Sequence, residues 1–273
     1  MKRKKKYAII GLGFISHRHI EAIKRNNGKL VWVCDIDARH KIRFDKSIKF
    51  TKDYRRIRDV DYVAICTPND LHAPMIKHFL AKGIKVIVEK PPVTVMSDFY
   101  DLQDEDVNVI LQLRHHPEMK ELKEKAKGGG HKVQMDVRVK RDKAYWEDWK
   151  GDRSRSGGIL LNIGIHYMDA LLHCFKGEYK ILYANVTDTF AQIRLAIGTN
   201  EVAITIQIMP DNLSQTREIV VDGKKFQFSC KDNLAFEGLH TQAYKAILDD
   251  KGTKIKECGR VLGLIDLLNF MYV

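Results

Sequence analysis

With 273 residues the chain can form one large domain or two modest ones, and its apolar runs fall well short of the ~20 residues that cross a bilayer. The N-terminus lacks a signal-peptide pattern, and the five cysteines are scattered without a Cys-x-x-Cys pair, so we expect a soluble cytoplasmic protein with neither a disulfide framework nor a metal site. The formal net charge is +12, but there is no recognised nucleic-acid motif, which favours an anionic small molecule as partner over nucleic acid or a membrane.

The chain begins with a predicted strand, a glycine turn and a helix. Apolar residues 7–10 precede the turn, and residues 19–25 have helical periodicity. The turn itself follows a Gly-x-Gly-x-x-small pattern that ends on Ser16, and it lets the backbone approach a pyrophosphate at a helix N-terminus. We therefore predict a bound dinucleotide. The predicted contacts in the turn are Gly11, Gly13, Phe14 and Ile15.

A second predicted strand, over residues 30–34, ends on Asp35. An acidic residue about 20 positions after the glycine turn accepts hydrogen bonds from ribose hydroxyls and repels a 2′-phosphate. Asp35 therefore favours NAD over NADP as the cofactor. Arg39 leaves an alternative open, because it could pair with a phosphate if Asp35 turned away.

Strands and helices then alternate. Residues 61–66, 85–88 and 107–111 form apolar strands, and residues 71–81 and 97–102 form helices. This alternation is typical of a parallel sheet covered on both faces, whose ligands gather at the carboxyl ends of the strands. The residues at those ends are Thr67, Pro68, Asn69, Glu89, Lys90, Gln112 and Arg114. Lys90 precedes two prolines, so its positive charge is held rigidly where the cofactor is expected.

An apolar helix after Gly157-Gly158 carries two polar residues, Asn162 and His166. Residues four apart share one face of an α-helix, so these side chains are expected side by side. Buried polar groups cost free energy unless they are partnered. The pair is therefore a candidate site, and a core histidine that binds a neighbouring carbonyl is the alternative.

Several segments of period two in the second half predict an antiparallel sheet. The predicted strands are 131–140, 180–186, 190–197, 202–208, 217–221 and 225–228, the last two joined as a hairpin through Asp222-Gly223. Helices over 235–248 and 260–272 close the chain. We therefore expect a Rossmann-type α/β domain over 1–114 and, over 115–273, an α+β domain with a largely antiparallel open sheet.

Together these motifs resemble the Gfo/Idh/MocA family of nicotinamide-dependent sugar oxidoreductases, over nearly the whole chain. The matching features, in order, are Gly11-x-Gly13, Asp35, Cys66-Thr67-Pro68-Asn69 with His72, Glu89-Lys90-Pro91, and the Gly157-Gly158 helix with His166. The resemblance implies that His72, Glu89, Lys90 and Gln112 join the other strand-end residues in binding NAD. It also implies that the C-terminal sheet pairs subunits, so we expect a homo-oligomer, either a dimer or a tetramer.

Within the family the chain looks like the bacterial UDP-N-acetyl-2-amino-2-deoxyglucuronate dehydrogenases. The segments that carry this likeness are 112–117, 149–152, 162–166 and 239–244. Such enzymes oxidise the 3-hydroxyl of a UDP-linked N-acetylglucosaminuronate during biosynthesis of surface polysaccharides such as lipopolysaccharide, and some keep NADH bound and need 2-oxoglutarate to turn over. Asn162, where the wider family more often has Asp, agrees with this branch. The shortness of the chain puts loop-borne substrate contacts in question.

Oxidation of a secondary alcohol needs a base for the hydroxyl proton and a cation near the oxygen. His166, an imidazole with an ordinary pKa near ~6.5, is a candidate base, and Lys90 can hold the hydroxyl and stabilise the developing alkoxide; either could accept the proton. A neutral Asn162 can orient His166 without repelling a substrate that bears a diphosphate and a carboxylate. Arg114 and Lys150 are the candidate contacts for those anionic groups.

Three functions stay open at this point. The first is the nucleotide-sugar dehydrogenase, favoured by Asn162, Arg114 and the positive charge. The second is another NAD(P)-linked sugar or polyol oxidoreductase without the anionic pocket. The third is a non-catalytic NAD-binding regulator whose basic residues 2–6 touch nucleic acid, and the presence of both Lys90 and His166 argues against it.

Overall fold

The computed structural model describes residues 3–209, 214–228 and 234–271, with side chains at all of these except 234–237. The chain forms two compact units. The first comprises Met1–Leu111 with Leu234–Glu257, and the second comprises Gln112–Asn233 with Cys258–Val273.

The regular elements are numbered in chain order. The strands are β1 (Lys6–Ile10), β2 (Lys29–Cys34), β3 (Lys49–Thr51), β4 (Tyr62–Ile65), β5 (Lys85–Glu89), β6 (Val107–Ile110), β7 (Lys132–Lys140), β8 (Tyr179–Val186), β9 (Phe190–Ile197), β10 (Asn200–Met209), β11 (Thr216–Val221) and β12 (Lys224–Gln227). The helices are α1 (Ser16–Arg25), α2 (His72–Leu80), α3 (Met96–Leu102), α4 (Glu118–Lys125), α5 (Lys143–Glu147), α6 (Arg153–Ser156), α7 (Ile165–Cys174), α8 (Leu234–Leu248) and α9 (Gly259–Phe270). The helix predicted to reach residue 272 ends at Phe270, and its last predicted residue lies outside the described ones.

The first unit contains a six-stranded parallel sheet in the order β3-β2-β1-β4-β5-β6. Strands β4 and β6 are buried along their whole length, which is why β4 is a continuous apolar run in the sequence and β6 is apolar except for Asn108. The strand order reverses between β1 and β4, and in sheets of this kind the ligand binds beside the carboxyl ends of the two strands at that reversal. The predicted Rossmann-type domain is confirmed.

Helix α8 packs in the first unit although it follows most of the second unit in the chain. Its residues Ala243, Tyr244 and Ile247 belong to the same buried cluster as Tyr7 and Ile9 of β1. After α8, the backbone carbonyl of residue 253 accepts a hydrogen bond of 2.8 Å from the amide of residue 109. The predicted division at residue 114 therefore differs from the structure, because an apolar helix face does not reveal in the sequence which sheet it will cover.

The second unit contains a six-stranded sheet in the order β12-β11-β7-β10-β9-β8. Its neighbouring strands are antiparallel except β7 and β10, which are parallel, so the predicted largely antiparallel sheet is confirmed. Buried and more exposed residues alternate along β7 and β9, as expected when one face packs in the core.

Over the residues that the structure describes, we find no helix with the length and apolar character needed to cross a membrane.

Candidate active site

The glycine turn after β1 is shaped by close packing on one side and by open space on the other. Gly11 has φ +84°, and a Cβ there would lie 2.6 Å from the carbonyl oxygen of Cys66, at the end of β4, so only glycine fits. A Cβ on Gly13 would meet nothing within 4 Å. Phe14 is 79% exposed, and the buried hydroxyl of Ser16 donates to the Gly13 carbonyl at 2.7 Å. The turn thus presents accessible backbone at the start of α1, as a pyrophosphate requires.

Asp35, at the end of β2, is held toward this turn. Its Oδ2 accepts a hydrogen bond from the Leu12 amide at 2.6 Å, its Oδ1 accepts one from the Asp37 amide at 2.8 Å, and His40 Nδ1 lies 3.3 Å from Oδ2. The Arg39 guanidinium pairs with Asp37 instead, with nitrogen–oxygen distances of 2.7–3.0 Å. Asp35 therefore does not turn away, and the alternative in which Arg39 receives a 2′-phosphate loses its basis.

His72 joins the chain segments that follow β4 and β5. The buried imidazole has Nδ1 2.7 Å from the carbonyl oxygen of Pro91 and Nε2 3.0 Å from that of Thr67. Burial lowers the pKa of His72. Both ring nitrogens thus face the protein backbone, so the structure assigns His72 the shaping of the two predicted cofactor-binding segments. Asn69, in the first of these segments, is buried.

Glu89, at the end of β5, is the centre of a buried hydrogen-bond network. His19 Nε2 and His240 Nε2 both donate to its Oε1, at 2.8 and 3.1 Å, and the Lys90 amide donates to its Oε2 at 3.3 Å. Although burial by itself raises it, these histidine hydrogen bonds hold the pKa of Glu89 well below its ordinary value. The carboxylate predicted to contact the cofactor is thus engaged with protein groups and fixes the backbone at Lys90.

Such a cluster of two histidines and a carboxylate could also suggest a metal. The three ligand atoms lie within 4.8 Å of one another, but the spacing of each donor and acceptor is that of a hydrogen bond. His19 Nδ1 lies 2.7 Å from the hydroxyl of Tyr244, which completes the network. Tyr244–His19–Glu89–His240 is therefore a hydrogen-bonded chain around one buried negative charge.

In the second unit, Asn162 lies in a π-helical turn over Leu160–Gly164, directly before α7. Gly157, with φ +79°, reverses the chain between α6 and this turn, and a Cβ there would lie 2.4 Å from the Leu161 side chain. A π-turn bonds i to i+5, so the face shared by residues four apart in an α-helix is rotated. In the structure the Asn162 amide donates to the hydroxyl of Tyr145 at 2.6 Å.

His166 lies in the first turn of α7, beside Gln112. The Nε2 atoms of the two side chains are 3.4 Å apart. Gln112 lies in the 3₁₀ helix Gln112–His115, and its buried Oε1 has no hydrogen-bond partner within the described part of the chain. An orphaned buried acceptor is costly, so this amide is a candidate for a ligand contact.

Arg114 and Lys150, the predicted anion contacts, are both paired with carboxylates. Arg114 forms a bidentate ion pair with Asp169 of α7 in a buried environment, so its charge is already neutralised and the predicted contact with a substrate anion needs correction. Lys150 is paired with Asp148, and its Nζ also lies 5.2 Å from the ring centre of Trp149. Sequence spacing does not reveal the partner of Arg114, which lies 55 positions away.

Tyr145 is a site residue that the sequence did not single out. Burial raises the pKa of its hydroxyl, while the neighbouring Arg141 and the hydrogen bond from Asn162 act in the opposite direction. The Arg141 guanidinium lies 5.1 Å from the ring centre. No short-range pattern connects residues 141–145 with Asn162, since the contact joins segments that are separate in the sequence.

Comparison with known proteins places this geometry in a family. Residues 5–108 match the family described as "Oxidoreductase family, NAD-binding Rossmann fold", and residues 119–214 match the Gfo/Idh/MocA C-terminal domain. The chain belongs to the Gfo/Idh/MocA oxidoreductases. It is an NAD-dependent oxidoreductase, and the predicted family, fold and cofactor are confirmed.

Solved structures of similar fold include the WlbA (WbpB) dehydrogenase from Thermus thermophilus. Its complex with NAD and α-ketoglutarate matches with a TM-score of 0.87 and 29% identity, covering 98% of this chain and 96% of that chain. Its complex with NAD and UDP-GlcNAcA matches with a TM-score of 0.86 and 29% identity, covering 97% and 94%. Myo-inositol 2-dehydrogenase from Lactobacillus plantarum, at 14% identity, a TM-score of 0.78 and coverage of 98% and 97%, shares the fold.

Proposed function

We propose that this protein is an NAD-dependent sugar dehydrogenase that oxidises the 3-hydroxyl of UDP-GlcNAcA, in the biosynthesis of acetamido-uronate sugars for surface polysaccharides. The observation that carries the proposal is the likeness, along almost the full length of both chains, to a dehydrogenase structure that holds NAD and UDP-GlcNAcA. The positive charge of the chain agrees with a substrate that bears a diphosphate and a carboxylate.

The residues of the first unit fit NAD. The backbone of the turn from Gly11 to Ser16 would hold the pyrophosphate, and Asp35 would accept from the ribose hydroxyls. Thr67, Pro68 and Asn69 are proposed to contact the cofactor from the neighbouring strand end. NAD, when bound, supplies the hydride acceptor.

The reaction also removes a proton from the substrate hydroxyl, and we assign this step to Lys90 and His166. A general base within hydrogen-bond reach contributes about 10²–10⁴ in rate. The ammonium of Lys90 holds the hydroxyl and stabilises developing negative charge on its oxygen, and the imidazole of His166 takes the proton. In the structure the network at Glu89 fixes the Lys90 backbone, and Gln112 lies against His166.

Asn162 is proposed to favour the acidic sugar. An aspartate at this position would repel a substrate that already carries several negative charges, whereas an amide is neutral. The hydrogen bond from Asn162 to Tyr145 holds that amide in place.

The proposal is tested by incubating the purified protein with NAD, 2-oxoglutarate and UDP-GlcNAcA, and by following the sugar product together with the 2-hydroxyglutarate that forms when 2-oxoglutarate takes the hydride from NADH. 2-Oxoglutarate is included because the similar Thermus dehydrogenase binds it, so that a tightly held NADH does not stop the reaction. We expect a 3-keto uronate. Oxidation of UDP-GlcNAc or of a neutral polyol, with UDP-GlcNAcA left untouched, contradicts the proposal and supports another sugar or polyol dehydrogenase of the family.

We also propose that the outward face of the second-unit sheet pairs subunits. Strand β8 exposes two large side chains, Leu182 at 57% and Tyr183 at 40%. Light scattering on the purified chain is expected to give the mass of a dimer or tetramer. Replacement of both residues by serine is expected to weaken the association of the subunits. A monomer at micromolar concentration contradicts this arrangement.

A further inference from the structure

Two arginines, Arg141 and Arg217, lie where β7 ends and β11 begins in the second-unit sheet. Strands β7 and β11 pair antiparallel, with Arg217 opposite Val137, so the end of β7 lies beside the start of β11. The side chain of Gln215 joins the two ends, because its Oε1 accepts from the Lys140 amide at 3.3 Å and from Arg217 Nη2 at 2.8 Å. Arg141 directly follows Lys140, the last residue of β7, so Arg141 and Arg217 both lie at this end of the two strands.

The two arginines differ from the other candidate cations in their partners. Among the side chains that the structure describes, at residues 3–209, 214–228 and 238–271, no carboxylate forms an ion pair with Arg141 or Arg217, whereas Arg114 is paired with Asp169 and Lys150 with Asp148. Arg141 donates to the carbonyl of Lys140 at 2.6 Å and lies over the Tyr145 ring. A half-buried guanidinium group that no described carboxylate pairs with can bind an anion through charge-assisted hydrogen bonds.

This end of the two strands is connected, through Tyr145, to the segment that carries Asn162 and His166. The hydroxyl of Tyr145, beside Arg141, accepts the hydrogen bond from Asn162, so its own proton stays available for an acceptor. Tyr167 follows His166 in α7, and burial raises its pKa to about 12 while Arg217 and Arg141 act in the opposite direction. The positive charges of both arginines therefore act on a side chain in the first turn of α7.

We propose that Arg141, Arg217 and Tyr145 form a subsite that binds an oxyanion group of the substrate, either the carboxylate of the uronate or the diphosphate. The planar guanidinium fork matches both groups bidentately, and the tyrosine adds a neutral donor. This subsite takes the place of Arg114 and Lys150 as the anion contact, and it rests on the proposed function.

The test compares binding of UDP-GlcNAcA and of UDP-GlcNAc, which lacks the carboxylate, by calorimetry on the full chain saturated with NADH, which accepts no hydride, so that the sugars bind without being oxidised. The variants are Arg141→Gln, Arg217→Gln and Tyr145→Phe, with Arg141→Lys as the conservative change that keeps the charge but loses the fork. Lys143→Gln is the matched control, because it removes one positive charge from the same segment at an 88% exposed side chain paired with Glu147. Removing a hydrogen bond to a charged group is expected to weaken binding by about 10- to 100-fold, and the control by less than about twofold.

The pattern of loss identifies the anion. A loss confined to UDP-GlcNAcA assigns the carboxylate, and an equal loss for both sugars assigns the diphosphate; either supports the subsite. Unchanged affinity for both sugars in the folded arginine variants overturns it. If Arg141→Gln does not fold, as judged by thermal unfolding, Arg141→Lys and Arg217→Gln decide.

The oxidation assay on the same wild-type sample separates this proposal from the proposed function. Arginine-dependent binding without oxidation leaves the subsite standing and removes the function. Oxidation by the wild type, together with unaltered sugar binding in the arginine variants, leaves the proposed function standing and removes the subsite. A wild-type protein that neither binds nor oxidises these sugars overturns both.

Discussion

Arg114 and Asp169 form a bidentate ion pair, with Nε to Oδ2 at 2.8 Å and Nη2 to Oδ1 at 2.7 Å, between side chains that are only 8% and 4% exposed. The pair joins the 3₁₀ helix that carries Gln112 to the helix that carries His166. The contact between Gln112 and His166 lies between the same two elements. The ion pair therefore keeps the His166 imidazole beside the Gln112 amide.

Replacement of Asp169 by Ala is expected to lower the free energy of unfolding by about 3–5 kcal/mol, because it leaves a buried guanidinium without its partner. Arg114→Lys keeps the positive charge but cannot form the bidentate pair with Asp169. We therefore expect a folded protein whose kcat falls by about tenfold or more through displacement of His166. Denaturant unfolding and steady-state kinetics measure the two effects. Arg260→Gln is the matched control, since Arg260 holds the opposite end of α7 through the carbonyls of Leu172 and Phe175. An equal loss of kcat in both arginine variants contradicts a specific role for Arg114.

Glu89→Gln tests the buried network next to Lys90. The folded pKa of Glu89 is depressed, so its carboxylate contributes stability that is fully present above the unfolded pKa, near ~4.3, and is lost as the pH falls through the folded pKa. We expect the variant to unfold more easily than the wild type at pH 7, and the difference to shrink as the pH falls well below 4. Denaturant unfolding between about pH 3 and 7 measures it. A difference that does not vary over this window contradicts an ionised Glu89.

Gly11→Ala and Gly13→Ala separate packing from cofactor binding. Alanine at Gly11 meets the Cys66 carbonyl and must adopt a left-handed φ, which costs about 1–3 kcal/mol in unfolding free energy. Alanine at Gly13 meets no protein atom, so stability should change by less than about 1 kcal/mol while the Kd for NAD rises by about tenfold. Thermal unfolding and NAD titration give the two readings. Tight NAD binding by Gly13→Ala is incompatible with a pyrophosphate on this turn.

The sequence predicts the parts of this molecule that are governed by local chemistry. The glycine turn, Asp35 and the apolar parallel strands all follow from spacing and periodicity, and the structure has them where they were expected. Partners distant in the sequence are a different matter. Whether an arginine faces a substrate or an aspartate 55 positions away depends on packing, and Arg114 pairs with Asp169 for that reason.

Two further features cannot be predicted from the sequence. They are the placement of Leu234–Glu257 in the first unit and the π-turn at Asn162. The apolar face of α8 does not specify in the sequence which sheet it covers, and in the structure its residues Ala243, Tyr244 and Ile247 pack in the buried cluster that contains Tyr7. The π-turn begins after two glycines and has no periodicity of its own that separates it from the helix it precedes. Consequently the hydrogen bond from Asn162 to Tyr145 could not be anticipated.

Asn162→Asp tests the reason for an amide at this position. The added carboxylate is expected to raise the Kd for UDP-GlcNAcA by about tenfold, through repulsion, and to raise the Kd for UDP-GlcNAc, which carries only the diphosphate, by less. Asn162→Ala is the control, because it removes the hydrogen bond to Tyr145 without adding charge. If the ratio of the two Kd values, measured on protein saturated with NADH, is the same in wild type and Asn162→Asp, the amide does not select for the acidic sugar.

The most direct measurement is single-turnover oxidation of UDP-GlcNAcA by wild type, Lys90→Ala and His166→Ala, each loaded with NAD to saturation. We predict that the wild type converts the sugar to the 3-keto uronate, and that both variants do so at rates lower by about 10²–10⁴. The affinity for NAD, which depends on Asp35 and the glycine turn, is expected to be unchanged in His166→Ala. Wild-type turnover rates in either variant would contradict the assignment of proton transfer to Lys90 and His166.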